Sequence, residues 1–219
     1  MTWRDSYREE YLAHILSLDG RGRFWGMCMA CGTTPATYRC RDCVIAQPLC
    51  KCCVLQMHKT NPLHVLEVTC FYFLSVVRAS PAIKEWRRSR FQRVTLKELG
   101  LRFQLGHLDG KSCPAVESAH IDFVVIASNG IHTINLDFCG CPGHPEQYVQ
   151  LLEMRWWPST PKSPRSAATM EVLRSFHILN LQARVPPTEF YRGLERLTDG
   201  QEMLDVPVIL FDSACLNAG

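Results

Sequence analysis

Eight residues that can ligate a metal fall into four pairs between Cys28 and His64: Cys28-x2-Cys31, Cys40-x2-Cys43, Cys50-x2-Cys53 and His58-x5-His64. A two-residue spacer lets a tight turn aim both thiolates at one tetrahedral ion, and two pairs from separate turns complete four-coordination. Four pairs therefore read as two closed zinc sites. A closed shell keeps no position for water or substrate, so a metal here serves folding rather than chemistry. Spacing alone leaves the wiring open. If neighbouring pairs share an ion, the sites follow one another along the chain. If alternate pairs do, Cys28, Cys31, Cys50 and Cys53 hold one ion and Cys40, Cys43, His58 and His64 the other.

Twelve cysteines in 219 residues also admit a disulfide framework. That alternative needs an oxidising compartment, and the N-terminal Met1-Thr-Trp-Arg-Asp-Ser-Tyr-Arg-Glu-Glu lacks the apolar core of a secretory signal. The expectation is reduced thiols in a nuclear or cytoplasmic protein, not a secreted one. Cys52, Cys70 and Cys215 stand outside any pairing and read as free, buried thiols. A hydrophobic share of 47% is enough for one or two globular cores. The most apolar run, Cys70 to Val77, reads as a buried strand and falls well short of the roughly 20 residues a membrane helix needs. A membrane role is excluded on that ground.

A net charge of +3 is too small to mark a nucleic-acid binder. Locally the balance differs: between Lys84 and Arg102 seven basic residues oppose Glu85 and Glu98, a surplus of +5. Such a run is more often a solvated helix face than a phosphate contact. Arg87, Arg88, Arg90 and Arg93 are its candidate phosphate-binding residues.

Along the chain, residues 2–18 read as a helix capped by Thr2 and stopped at Asp19-Gly20. Farther on, Ile121 to Ile126, the turn residues Ser128-Asn129-Gly130 and the alternating Ile131 to Phe138 read as a β-hairpin. The second strand runs into Cys139-Gly140-Cys141, and Gly140 and Pro142 permit the sharp turn that would aim both sulfurs at one ion. With His107 and Cys113 this makes a candidate third zinc site, for which His132 and His144 compete with His107. Pro158 to Arg165 is a proline-rich loop. Residues 167–183 read as a helix with Met170, Leu173, Phe176 or His177, and Leu181 on one face, ended by Pro186-Pro187. Thr188 would cap a last helix bearing Phe190, Tyr191, Leu194 and Leu197.

Catalysis finds little support. Two-metal strand transfer needs three converging carboxylates, and nothing in the sequence groups Asp122, Asp137 and Asp199. Cys70 lies in an apolar run that would raise its pKa and leave it inert as a nucleophile. No phosphate-binding glycine loop and no nucleophile elbow occur. The chain reads as a non-enzyme without a small-molecule substrate.

The pair spacings resemble a B-box zinc finger, a likeness that implies the alternate-pair, cross-braced wiring. A wider set of residues resembles the CxC2-type cysteine cluster found ahead of the catalytic domain in KDZ transposases of fungi. It comprises Cys28-x2-Cys31-Gly32, Tyr38-Arg-Cys-Arg-Asp-Cys43, Cys50-x2-Cys53, His58 to His64, Leu99-Gly-Leu101 to His107, Cys113-Pro114, Gly130-Ile-His132, Phe138-Cys-Gly-Cys141, Trp157-Pro158 and Leu197-Thr-Asp199. These span roughly residues 11 to 200. Two departures stand out. Thr69 to Ile83 interrupts the pattern like an insertion or a retained intron, and no RNase H-like catalytic domain fits between Asp199 and Gly219.

The expected architecture is α+β. Residues 1–26 form a helix, 27–66 a B-box-like double zinc module, 67–98 the inserted and basic segment, 99–157 a β-rich Cys-x-Cys region and 158–219 terminal helices. Zn2+ is the expected cofactor, two ions or three. Two function classes remain open: a nucleic-acid-associated zinc module that binds DNA weakly and with little sequence preference, and a protein-interaction or self-association module in the B-box manner.

Overall fold

The fold is a computed structural model that describes residues 7–19, 26–70, 90–107 and 111–199. The chain divides into two compact units, Met1–Leu99 and Gly100–Gly219.

In the first unit, α1 (Arg8–Asp19) is the expected lead-in helix; its proposed cap, Thr2, lies outside the described residues. Tyr11, Leu12, Ile15 and Leu16 are exposed on it. Three short strands, β1 (Tyr38–Cys40), β2 (Leu66–Cys70) and β3 (Arg90–Val94), pair antiparallel in that order. Register sets Arg39 opposite Glu67, where the two side chains form an ion pair at 2.6 Å. A short helix, α2 (Lys51–Met57), starts at Cys50 and buries only Val54. Among the described residues, apart from the cysteines and His58, the buried residues of this unit are Leu49, Val54, Pro62, Val65, Leu66, Leu96 and Leu99. So small an apolar core belongs to the size range in which a bound metal or other cross-link supplies much of the stability.

The observed elements correct several sequence expectations. The boundary expected between residues 66 and 67 falls inside β2, because the sheet continues across it to β3. The basic run is not a helix where it is described: Arg90 and Arg93 lie on β3, and Thr95 and Glu98 then exchange reciprocal bonds in a capped turn, Thr95 N–H to Glu98 at 2.7 Å and Glu98 N–H to Thr95 at 3.1 Å. Arg87 and Arg88 lie outside the described residues. Thr69 and Cys70, taken as the start of an insertion, are the last residues of β2 and face Phe91 and Arg90 in register.

The second unit is built on a six-stranded sheet. Its strands are β4 (Arg102–Gln104), β5 (Val116–Ser118), β6 (Phe123–Ala127), β7 (Gly130–Cys139), β8 (Trp156–Pro158) and β9 (Ser166–Thr169). The order is β4-β7-β6-β9-β8, with β5 also on β7. The long strand β7 is thus the spine, paired parallel to β4 and antiparallel to β5 and β6. The hairpin forms as expected across the two-residue turn Ser128-Asn129; Ile121 is exposed and outside the strand. The positive φ of 138° falls on Gly130, where any Cβ would sit 2.8 Å from the Thr198 hydroxyl.

All five residues of β6 are buried. Val124 and Ile126 pack with Ile131 and Ala168 against Val172 and Leu194 of two helices, α4 (Met170–Ala183) and α5 (Pro187–Thr198). Those helices also join through Phe176 and Phe190, with ring centres 5.2 Å apart. Phe123 and Phe138 meet edge to face at 6.4 Å. The boundary expected at 157/158 falls inside β8, and Ala167 to Thr169, expected as helix, form a strand beside β6. Thr169 then caps α4 by accepting from Val172 N–H. His177 and Leu181 are exposed rather than on the buried face. Helix α5 begins with Pro187 in its first turn and receives no cap from Thr188. Its far end is fixed by Thr198, whose buried hydroxyl accepts from Ile131 N–H and donates to the Leu194 carbonyl, both at 2.7 Å.

Because residues 70 and 90 are register partners, residues 84–89 suffice to join them. Deletion of residues 71–83 is expected to keep or improve soluble expression and leave the thermal midpoint within about 2 °C, whereas a deletion that also removes Thr69 and Cys70 should lower it, since it strips two pairs from the sheet. Loss of folding in the shorter deletion would show that the removed segment is part of the core.

Candidate metal centre

Three sets of four side chains converge, each with its ligand atoms all within 4.8 Å of one another: Cys28, Cys31, Cys50 and Cys53; Cys40, Cys43, His58 and His64; and His107, Cys113, Cys139 and Cys141. Alternate pairs of the N-terminal module are thereby brought together. The separations suit a tetrahedral ion. Metal–sulfur bonds of about 2.3 Å and metal–nitrogen bonds of about 2.0 Å place two sulfurs roughly 3.8 Å apart and a sulfur and a nitrogen roughly 3.5 Å apart. Cys31 and Cys50 lie 3.9 Å apart, Cys40 and His64 3.4 Å, Cys43 and His58 3.4 Å, Cys113 and Cys141 3.6 Å, and Cys139 and His107 3.4 Å. A disulfide needs about 2.05 Å. Every cysteine whose side chain is described is free.

Local structure aims the donors. In the first set, Gly32 at φ 68° turns the Cys28 loop, and Gly32 N–H closes it on the Cys28 carbonyl at 2.8 Å. Cys50 and Cys53 sit at the start of α2, one turn apart. The exposed Cys31 thiol is held down to about 5 by hydrogen bonds from the Thr33 and Thr34 hydroxyls, at 3.3 and 3.2 Å. Cys53 is pushed up by sharing a proton with Cys50.

In the second set, His58 is 1% exposed and its Nδ1 lies 2.7 Å from the Val54 carbonyl. A carbonyl can only accept, so Nδ1 carries the proton and Nε2 turns a lone pair to the cluster, as an outer-sphere acceptor does for a metal-bound histidine. His64 presents Nδ1 instead, and burial first, then the repulsion that a second imidazolium beside His58 would meet, lowers its pKa and favours the neutral, ligating form. Cys40 is pushed up to about 12 by burial. Packed thiols of this kind cannot all ionise together unless a cation neutralises them.

The third set is assembled by β7. Cys139 ends that strand, Cys141 follows the turn, Cys113 approaches beside β5, and His107 follows β4. Gly140 N–H donates to the Ala115 carbonyl at 2.7 Å, tying the Cys-x-Cys turn to the chain that carries Cys113. His107 is the histidine of this set. His132 instead bonds Asn129 at 2.8 Å, and His144 has Nδ1 2.8 Å from the Pro145 carbonyl. Cys141 is pushed up to about 11, chiefly by its hydrogen bond to Cys139.

The remaining sequence candidates do not join a cluster. Cys52 is exposed, not buried, and the side chains of Cys70 and Cys215 lie outside the described residues. Among the described residues the three convergent sets contain no carboxylate. Asp137 is held below the usual carboxylate range by its hydrogen bonds with Arg102, which tie that arginine down within the basic run. Asp122 lies in the exposed turn before β6, and Asp199 ends α5.

Two residues of the third set's surroundings escaped the sequence reading. Gln150, on α3 (Gln147–Glu153), is 1% exposed and bonds the Cys139 backbone from both sides. Gly106, at φ 80°, lies so close to Cys139 that any Cβ would meet the Cys139 Cβ at 2.4 Å. A glutamine in an ordinary-looking helix gives no sequence signal; Leu-Gly-His was visible as part of the resemblance, but not the reason for its glycine.

Three sets of four sulfur and nitrogen donors, none of them acidic, define a protein with three sites that could each hold a metal ion. Within it, residues 96–202 match the family model described as CxC2 like cysteine cluster associated with KDZ transposases. That stretch carries the third set; the first two precede it. No curated protein and no solved structure matches the chain. No helix among the described residues is long and apolar enough to cross a membrane.

Gly106→Ala combines a left-handed backbone with a contact that has no room to relax, and is expected to destabilise the second unit by about 2 to 4 kcal/mol. Denaturant unfolding of the metal-loaded protein measures it. A change under about 0.5 kcal/mol would mean that the approach of Gly106 to Cys139 does not persist in solution.

Proposed function

We propose that the chain is a non-catalytic zinc scaffold of a KDZ transposase-like protein, holding three structural Zn2+ ions, the first two cross-braced, and contacting nucleic acid weakly and without sequence preference. One observation carries the reading: each convergent set supplies four donors, all sulfur or imidazole nitrogen, at tetrahedral spacing. Thiolate and imidazole sets of this kind favour Zn2+ over the oxygen-seeking Mg2+ and Ca2+. On this reading His107, Cys113, Cys139 and Cys141 hold the third ion, and the other eight residues hold two. Thiols kept reduced for metal fit a nuclear or cytoplasmic location.

The charge balance narrows how nucleic acid could be met. Nine cysteines act as thiolates across the three sets, and three divalent ions return six charges, so loading lowers the formal net charge from +3 to zero. Attraction to phosphate then rests on the local run. Positions 90 and 93 belong to opposite faces of β3, so Arg87, Arg88 and one of the two strand arginines are the most that one phosphate surface could engage. The neutral loaded chain, with Met27, Met29, Val44 and Ile45 exposed in the first unit, favours a second reading, in which a protein partner or a second copy is bound.

Elemental analysis of the purified chain is expected to find three zinc ions. Cys31→Ala and Cys139→Ser should each lower the count by one and destabilise the unit concerned; a folded, metal-free protein with oxidised cysteines would refute the scaffold. For nucleic acid, a salt titration of duplex binding compares the wild type with a variant bearing Ala at 87, 88, 90 and 93. At about 0.9 units per phosphate contact, the slope of log affinity against log salt should fall by about 3. No binding at low salt supports the protein-partner reading, and metal-dependent strand cleavage would overturn the non-catalytic assignment.

A further inference from the structure

We propose that Gln150 is a positioning residue for the third metal, its side-chain amide holding the Cys139 backbone and the turn after it in ligating geometry. This deepens the zinc reading and rests on His107, Cys113, Cys139 and Cys141 forming a metal site. The amide is fully committed. Its Oε1 accepts from Cys139 N–H at 2.9 Å, and its Nε2 donates to the Cys139 carbonyl and the Pro145 carbonyl, each at 2.9 Å. Nε2 also lies 3.4 Å from His144 Nδ1. A primary amide has two N–H groups and a carbonyl oxygen, so three bonds at this length use both donors and the acceptor.

The geometry gives these bonds a role beyond filling space. By bonding both N–H and C=O of Cys139, Gln150 acts as a neighbouring strand residue would, at the point where β7 ends and becomes the Cys-x-Cys turn. Its third bond fixes Pro145, so one buried side chain tethers both ends of the segment that carries Cys139 and Cys141. The histidine arm reaches the same point, since a Cβ on Gly106 would lie 3.3 Å from Gln150 Oε1. Gln150 makes none of its hydrogen bonds to a ligand atom. It acts through the backbone, as outer-sphere partners that set ligand orientation do, and loss of such partners lowers metal affinity by about 10- to 100-fold.

The test follows zinc release from the full-length, zinc-loaded protein in graded chelator. Gln150→Met keeps the volume and removes all three bonds. One of the three zinc ions should then leave at a chelator concentration about 10- to 100-fold lower than in the wild type, with the other two unmoved; in cobalt-loaded protein the thiolate-to-cobalt bands of one site should shift. Gln150→Glu retains the acceptor for Cys139 N–H but turns a carboxylate oxygen toward the Cys139 and Pro145 carbonyls, and should shift release at least as far. Thr198→Val, which breaks two buried hydrogen bonds elsewhere in the same unit, is the stability control and should lower the thermal midpoint without moving zinc release. An unchanged release profile in Gln150→Met overturns the proposal, as does an equal shift in Thr198→Val. Should Gln150→Met fail to fold, Gln150→Glu decides: an unmoved profile overturns it. Cys139→Ser separates the two levels. An unchanged zinc count there refutes the third site itself, while loss of one ion there, with normal release in Gln150→Met, refutes only the role of Gln150.

Discussion

Four soft donors held within 4.8 Å of one another is the arrangement on which the rest of the chain depends. Neighbouring thiolates repel, and burial adds a further cost, visible in Cys40 and Cys141 being pushed up while Cys31 is held down by two threonine hydroxyls. A bound cation would remove that conflict for all donors at once while leaving them ionised. The same arrangement supplies what short elements cannot. In the first unit β1 has three residues and α2 seven, and neither buries enough apolar surface to fold by itself.

The second unit meets a different problem with a larger core. Strand β7 collects β4, β5 and β6 along its length, and α4 and α5 cover one set of its neighbours through Val172 and Leu194. The third donor set therefore stands at the end of a well-packed strand, whereas the first two draw their donors from loops, the end of β1 and the short helix α2. Cys139 is positioned by sheet register, by Gly106 and by Gln150, so its placement draws on the stability of the unit around it.

The three N-terminal cysteine pairs are legible in the sequence because two-residue spacing is itself a local geometry. The hairpin was legible for a similar reason: period-two alternation on both sides of Ser128-Asn129 leaves little choice. The errors fell where a short segment met a tertiary demand. Ala167 and Ala168 are good helix formers, yet the open edge of β6 recruits them as a strand, and the helix starts only after the Thr169 cap. Arg90 and Arg93 looked helical in a run of basic residues, but β2 offered an edge that needed pairing. His177 and Leu181 fit the helical period, but the buried stripe runs through Val172 and Phe176 instead.

Spacing and residue chemistry alone determined that the chain holds pairs of residues able to ligate a metal, that four of them lie before residue 65, and that a Cys-x-Cys closes the hairpin. They left open which pair meets which. Alternate pairing in the first unit, and the selection of His107 over His132 and His144 in the second, follow from loops and strands distant in sequence arriving at one point. A local spacer sets the angle between two neighbouring donors, but the position of the other two depends on register, burial and the hydrogen bonds that turn each imidazole, and those exist only in the folded chain.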